Sequence, residues 1–160
     1  YINNMYQPDK EKIMEKMTIN KIGQAASLNN LLFNHSKFQE FLDNLASGNI
    51  DDNVLDVLIQ IRQFNVDCIG KYGDLISRND MVFKPDLTVN FKMNNSHEKG
   101  ELLMTEINTN LSLLIPAYVK ALSNKTLNPF TRMIISSNYE KILNIKDNLL
   151  HPLPEFEYVE

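Results

Sequence analysis

The chain has 160 residues, enough for one domain with a sizeable core, and its apolar fraction of 43% is ordinary for a globular protein. A net charge of −4, with lysine and arginine scattered, argues against nucleic acid or anionic lipid as a partner. Cys68 is the single cysteine, which excludes an intrachain disulfide and favours the cytoplasm. The first residue, Tyr1, leaves a removed signal peptide and export open.

The chain begins with a short helical extension. Residues 1–7 lack periodicity and are expected to be flexible. Pro8 and Asp9 are typical of a helix start. A modest apolar stripe follows and is ended or bent at Gly23; it consists of Ile13, Met14, Met17 and Ile22.

The first long helix has one apolar stripe, formed by Leu28, Leu31, Leu32, His35, Phe38, Leu42 and Leu45. Residues 47–49, Ser-Gly-Asn, are typical of a helix end. The Asn34–Ser36 segment could break the helix, with Ser36 capping a second piece. Because the stripe continues through it, we favour one continuous helix.

The strongest helical pattern runs from Asn53 to Ile76. Its face follows three-four spacing through Val54, Leu58, Ile61, Cys68, Tyr72 and Leu75. Its first half is apolar on nearly every side, which predicts cover from more than one side. Asp56, Arg62 and Asp67 interrupt the run and exclude a membrane span.

Residues 80–107 allow two interpretations. Leu87, Val89, Phe91 and Met93 alternate with polar residues, which is the period of a strand, and residues 101–107 could form its hairpin partner. The alternative is a crossover packed on the bundle. We favour the crossover because residues 101–106 do not alternate.

Two further helices complete the pattern. Ser96 is a cap candidate for the third, whose face contains Leu103, Ile107, Asn110, Leu114, Tyr118 and Ala121. Pro116 should kink this helix one turn earlier. Asn128 and Pro129 open the last helix, with a predicted face of Phe130, Ile134, Ile142, Ile145 and Leu149. The acidic end, residues 155–160, is expected to be flexible.

Together these patterns predict one all-α domain over residues 1–160. Short turns at 47–52 and 123–128 require antiparallel neighbours, whereas the connection between helices two and three is long. The predicted architecture is an antiparallel four-helix bundle with an N-terminal helical extension and a long crossover between helices two and three.

A bundle core can hold a metal when its helices supply the ligands. A di-iron site needs two Glu-x-x-His motifs, and the sequence contains none. His97 and Glu101 share a helix face and could form half of a metal site, although a solvated helix start is the favoured explanation. His35 lies on an apolar stripe, where it is either a core residue with one partner or a ligand that needs carboxylates such as Asp67.

Residues 27–150 resemble the ferritin-like four-helix bundles, particularly a small bacterial group of unassigned function. The segments that carry the resemblance are Leu28–Leu32, the turn before Asp51–Leu55, Leu87–Phe91, Tyr118–Leu122 and Asn128–Pro129. The group has acidic metal ligands near the middle of the third helix, where this chain has Leu111 and Ser112. The resemblance therefore implies a bundle that has lost its metal site.

The sequence has no glycine-rich phosphate loop, serine nucleophile elbow or cysteine pair. It favours a non-enzymatic binding or scaffold protein that presents a helical face to a protein partner or to a second copy. One alternative is a divergent metal-binding bundle that uses His35, or His97 with Glu101. Another is a viral or pathogen protein that sequesters a partner helix in a groove where Pro116 bends the third helix.

Overall fold

The computed structural model describes residues 7–79 and 100–150. In these two ranges the chain forms α-helices and no strand, which confirms the all-α bundle. The helices are α1 (Gln7–Ala46), α2 (Asp52–Asn79), α3 (Gly100–Ser112), α4 (Ile115–Ser123) and α5 (Pro129–Leu150). None of these helices is both long and apolar enough to cross a lipid bilayer.

Helices α1 and α2 form an antiparallel pair. The α1 helix continues through Asn34–Ser36, as predicted. The turn after α1 ends at Asp51, whose side chain accepts a hydrogen bond from the backbone N–H of Asn53 at 3.2 Å. Near this end of the bundle, Arg62 pairs with Asp43 at 2.6 Å. The short turn thus sets the direction of the pair, as the loop length requires.

Helices α3 and α4 are two halves of one kinked rod. At the end of α3 the backbone changes to the 3₁₀ pattern, in which each N–H donates to the carbonyl three residues earlier. The N–H of Leu113 donates to Asn110 O, and the N–H of Leu114 donates to Leu111 O. Pro116 lies in the first turn of α4 and has no N–H to continue the α3 ladder. The predicted kink one turn before the proline is confirmed.

The turn between α4 and α5 is fixed on α1. Asn124 donates from Nδ2 to Gly23 O at 2.9 Å and to Ser27 Oγ at 2.8 Å. The N–H of Asn128 donates to Gln24 Oε1 at 2.9 Å. This turn therefore lies at the end of the bundle opposite the α1–α2 turn.

These contacts determine the connectivity. The α2 helix runs away from the α1–α2 turn, and the α3–α4 rod ends beside Gly23, so the two run in the same direction. Residues 79 and 100 therefore lie at opposite ends of the bundle, and the predicted crossover between them lies outside the described residues. Because residues 101–107 lie in α3, the hairpin alternative is wrong. The predicted strand at 87–93 and the Ser96 cap lie outside the described residues, as do 1–6 and 151–160.

The core follows one stripe of each helix. On α2 the six predicted face positions are all buried, and the helix contacts α1, α3 and α5, whereas Leu55, Ile59 and Val66 are exposed. On α5 the predicted face is partly wrong because Phe130 points to solvent. The buried positions of α5 are Thr131, Ile135, Asn138 and Ile142.

The first sixteen residues of α1 extend beyond this packing. We call residues 7–22 the extension; it is about 24 Å long at 1.5 Å per residue. Contrary to one expectation, Gly23 does not end the helix, because α1 continues through it. A Cβ at this position would collide with Thr126 Oγ1 and lie 3.2 Å from Thr126 Cβ, so glycine permits the close approach of the α4–α5 turn.

Candidate functional site

The bundle contains a polar cluster at its mid-height. Five side chains from four helices meet there, and each is at most 2% exposed. We call them the buried polar network: His35 of α1, Asn65 and Tyr72 of α2, Tyr118 of α4 and Asn138 of α5. Burying so many polar groups is favourable only when each finds a hydrogen-bond partner.

The ring nitrogens of His35 join the two halves of the network. Nδ1 of His35 is 2.6 Å from Oδ1 of Asn65, and Nε2 is 2.5 Å from the hydroxyl of Tyr118. The hydroxyls of Tyr118 and Tyr72 are 2.7 Å apart, and Asn138 donates from Nδ2 to Tyr72 at 3.0 Å. At the other end, Asn65 donates from Nδ2 to His35 O and to Gln39 Oε1.

The two amides fix the direction of every hydrogen bond. Oδ1 of Asn65 can only accept, so Nδ1 of His35 carries the proton. Nε2 of the neutral ring then accepts the Tyr118 proton, and Tyr118 in turn accepts from Tyr72. Tyr72 accepts from Asn138, so the donors point in one direction from α5 to α1. This assignment follows from the partners and requires a neutral imidazole.

Burial lowers the pKa of His35 from 6.5 to about 4, a shift that the hydrogen bond from His35 to Asn65 partly opposes. The hydrogen-bond pattern acts in the same direction. An imidazolium would donate from Nε2 as well, so Tyr118 could no longer donate to His35 and its proton would need another acceptor. The network is therefore built for neutral histidine.

The Cys68 thiol and the two phenols of this cluster are also held in their neutral forms. Burial raises the pKa of the Cys68 thiol to about 12, while a hydrogen bond with Tyr118 opposes the rise. Burial also raises the pKa values of Tyr72 and Tyr118 above their usual range. At neutral pH this set contains no anionic nucleophile, because the thiolate is the reactive form of cysteine.

The network is suited to a structural role, in which it fixes how the four helices pack. Both ring nitrogens of His35 are engaged, and no member is exposed enough to meet a substrate in this conformation. A chain of oriented hydrogen bonds through four helices instead specifies one packing arrangement, since any helix rotation or slip would leave buried donors unpaired.

The predicted metal ligands have different surroundings. His35 has an amide and a phenol as neighbours, whereas Asp67 is exposed and accepts a hydrogen bond from Gln63. His97 lies outside the described residues, and Glu101 is in the first turn of α3. Within 7–79 and 100–150, no three His, Cys, Asp or Glu side chains are grouped so that they could hold a metal ion. The binding of metal by His35, His97 and Glu101 stays a prediction.

Sequence reasoning singled out His35 and placed Tyr72 and Tyr118 on apolar helix faces, but it missed Asn65 and Asn138. A signal was present in the spacing. Position 65 is the step between Ile61 and Cys68 on the α2 stripe, and position 138 occupies the same kind of step between Ile135 and Ile142. A polar residue on the stripe of each of several helices indicates that these residues meet.

A second candidate site is a surface on the extension. Three of the exposed apolar side chains there share one face of the helix: Ile13 is 58% accessible, Met14 68% and Met17 57%. Ile19, which is 55% accessible, lies on the opposite face. Met14 and Met17 continue, in steps of three and four residues, the stripe that α1 buries in the bundle. Lys21 is the next position of that stripe and Lys10 the one before Met14. We call Lys10, Ile13, Met14, Met17 and Lys21 the lysine-flanked stripe.

No family model matches this chain, and neither a curated protein nor a solved structure matches it. The ferritin-like resemblance therefore stays a prediction. At the positions where it implies lost ligands, Leu111 is buried in the core and the Ser112 hydroxyl bonds to Lys146 and to Asn108 O. The fold and the two sites are thus the basis for assigning a function.

Proposed function

We propose that the chain is a helical-bundle binding protein without catalytic chemistry, which acts through protein–protein contacts made by its extension. The observation that carries the proposal is the lysine-flanked stripe. Its three apolar side chains are all more than half exposed, although they continue the core-facing side of α1. Exposed apolar surface on the end of a rigid helix is a typical docking element.

The buried polar network also supports the proposal, because it contains no group that could react with a substrate in solvent. Its histidine is neutral, its phenols and the neighbouring Cys68 thiol are protonated, and its members are inaccessible. Such a core stabilises a scaffold and offers no reacting group to solvent. The bundle then serves to hold α1 rigidly while the extension meets its partner.

The test is quantitative capture from lysate of the source cells with three baits: the wild-type chain, Met17→Glu and Met133→Glu. Met133 lies on α5 and is 59% exposed, close to the 57% of Met17, so the two variants are matched in residue type, exposure and added charge. We expect one protein that the wild-type and Met133→Glu baits capture in similar amounts and that the Met17→Glu bait captures about tenfold less or weaker still. The reason is that burying half of a methionine side chain contributes roughly 1–1.5 kcal/mol to the binding free energy.

Light scattering measures the molar mass of the same three proteins and shows whether any of them self-associates. A dimer that Met17→Glu dissociates and Met133→Glu preserves would place a second copy on the stripe. If all three chains are monomers and retain the same proteins, the extension is not a binding element and the proposal fails.

A further inference from the structure

The lysine-flanked stripe has a charge pattern that selects among partners. Lys10 and Lys21 are eleven residues apart, about 16 Å along the helix, with the apolar side chains between them. Neither lysine has an acidic residue three or four positions away on α1. The ion pairs within the described residues, Lys37 with Glu40 and Arg62 with Asp43, involve neither of them.

This pattern disfavours pairing between two copies of the extension. In an antiparallel pair that superposes Met14 on Met17, Lys10 of one copy faces Lys21 of the other at both ends. In a parallel pair each lysine faces itself. Either alignment places like charges opposite each other at the edge of an apolar contact, which is the usual device against an unwanted partner.

We infer that the lysine-flanked stripe docks an amphipathic helix of another protein, whose apolar stripe is bounded at both ends by carboxylates about three helical turns apart. The apolar residues supply the contact area, and the two lysines select acidic ends and set the position of the helix. This inference rests on the proposed function and names the class of partner.

The experiment uses the whole chain and two fluorescein-labelled designed helical peptides. Both have the same leucine stripe; one has glutamate at the two ends of that stripe and the other has lysine. Fluorescence anisotropy should show the glutamate peptide binding about tenfold more tightly than the lysine peptide, because two partly exposed charge pairs change from repulsion to attraction. The preference should decrease as salt rises.

Two charge-reversal variants make the test specific. In Lys10→Glu/Lys21→Glu the preference should invert. In Lys12→Glu/Lys16→Glu, which reverses two charges on the other side of the helix, the glutamate peptide should still bind more tightly. Neither double variant alters a residue with a buried side chain, so both should fold.

The outcomes separate this inference from the proposed function. Equal binding of both peptides, lost in Met17→Glu, overturns the acidic-helix inference but leaves the stripe as a protein-binding surface. A dimer that depends on Met17 and ignores both peptides identifies a second copy as the occupant and also overturns it. If neither peptide binds and Met17→Glu changes nothing in capture or in mass, both proposals fall.

Discussion

At the scale of single residues, the imidazole of His35 determines how the core responds to acid. Its pKa is 6.5 in the unfolded chain and about 4 in the fold, so the unfolded state binds more protons between these values. The contribution of His35 to the free energy of unfolding is therefore fully present above pH 6.5. It is lost as the pH falls from 6.5 to about 4 and changes little below that. A shift of this size corresponds to about 3 kcal/mol of unfolding free energy.

Nitrogen NMR of the imidazole tests this pH dependence directly. We expect His35 to show the tautomer with the proton on Nδ1 at neutral pH and to titrate near pH 4, with its signals assigned by their loss in His35→Gln. Urea unfolding at pH 7, 5.5 and 4.5 gives the matching decline in free energy. Titration near 6.5, or a proton on Nε2, would contradict the hydrogen-bond directions of the buried polar network.

Tyr118 connects the histidine to the rest of the network. In Tyr118→Phe, Nε2 of His35 loses its donor and the hydroxyl of Tyr72 loses its acceptor, both of them buried. We expect a loss of about 2–3 kcal/mol in unfolding free energy. The control is Tyr139→Phe, whose ring stacks on Tyr118 at 5.8 Å and whose hydroxyl has no hydrogen bond within the described residues. That variant should change stability by less than about 0.5 kcal/mol.

At the scale of helices and turns, two glycines inside helices have opposite roles. Gly70 lies in α2, and a Cβ there would have nothing within 4 Å apart from its chain neighbours and the backbone of its own helix. Gly70→Ala should therefore stabilise the fold by about 0.5–1 kcal/mol through helix propensity. Gly23→Ala brings the same propensity gain but forces the side chain of Thr126 aside. We expect a net loss of about 1–2 kcal/mol by thermal or urea unfolding.

The double variant Gly23→Ala/Thr126→Ala checks the cause. If contact with Thr126 is responsible, removing its hydroxyl and methyl should restore most of the lost stability, although the hydrogen bond from Thr126 to Asn124 is lost as well. Equal stabilisation by Gly23→Ala and Gly70→Ala would show that the α4–α5 turn does not press on α1.

The helices also show what sequence alone could and could not predict. Spacing predicted the α2 face and the kink before Pro116 because both depend on local geometry. It chose Phe130 for the core because a stripe through 130 and 134 fits helical spacing as well as one through 131 and 135. Only the packing of α5 against α3 and α4 decides between the two stripes. Asn65 was missed because its partner, His35, is thirty residues away.

At the scale of the whole molecule, the network and the turns divide α1 into two parts with different roles. Residues 23–46 are held by α2, by the α4–α5 turn and by the polar network. The extension has no buried side chain among residues 9–22, so its packing contributes little to the fold. A helix that projects in this way is stabilised by its continuity with a buried helix, because an isolated sixteen-residue helix is marginal in water.

This division predicts that the bundle does not need the extension. A shortened chain that begins at Gly23 should unfold within about 0.5 kcal/mol of the full chain, since exposed side chains contribute little to stability. Starting instead at Leu28 removes Gly23, Gln24 and Ser27, which bind the α4–α5 turn, and should cost about 2–3 kcal/mol. Urea unfolding of the three chains makes the comparison. A large loss on removing residues 1–22 alone would mean that the extension packs on part of its own chain, and the lysine-flanked stripe would then belong to the fold and could not serve a partner.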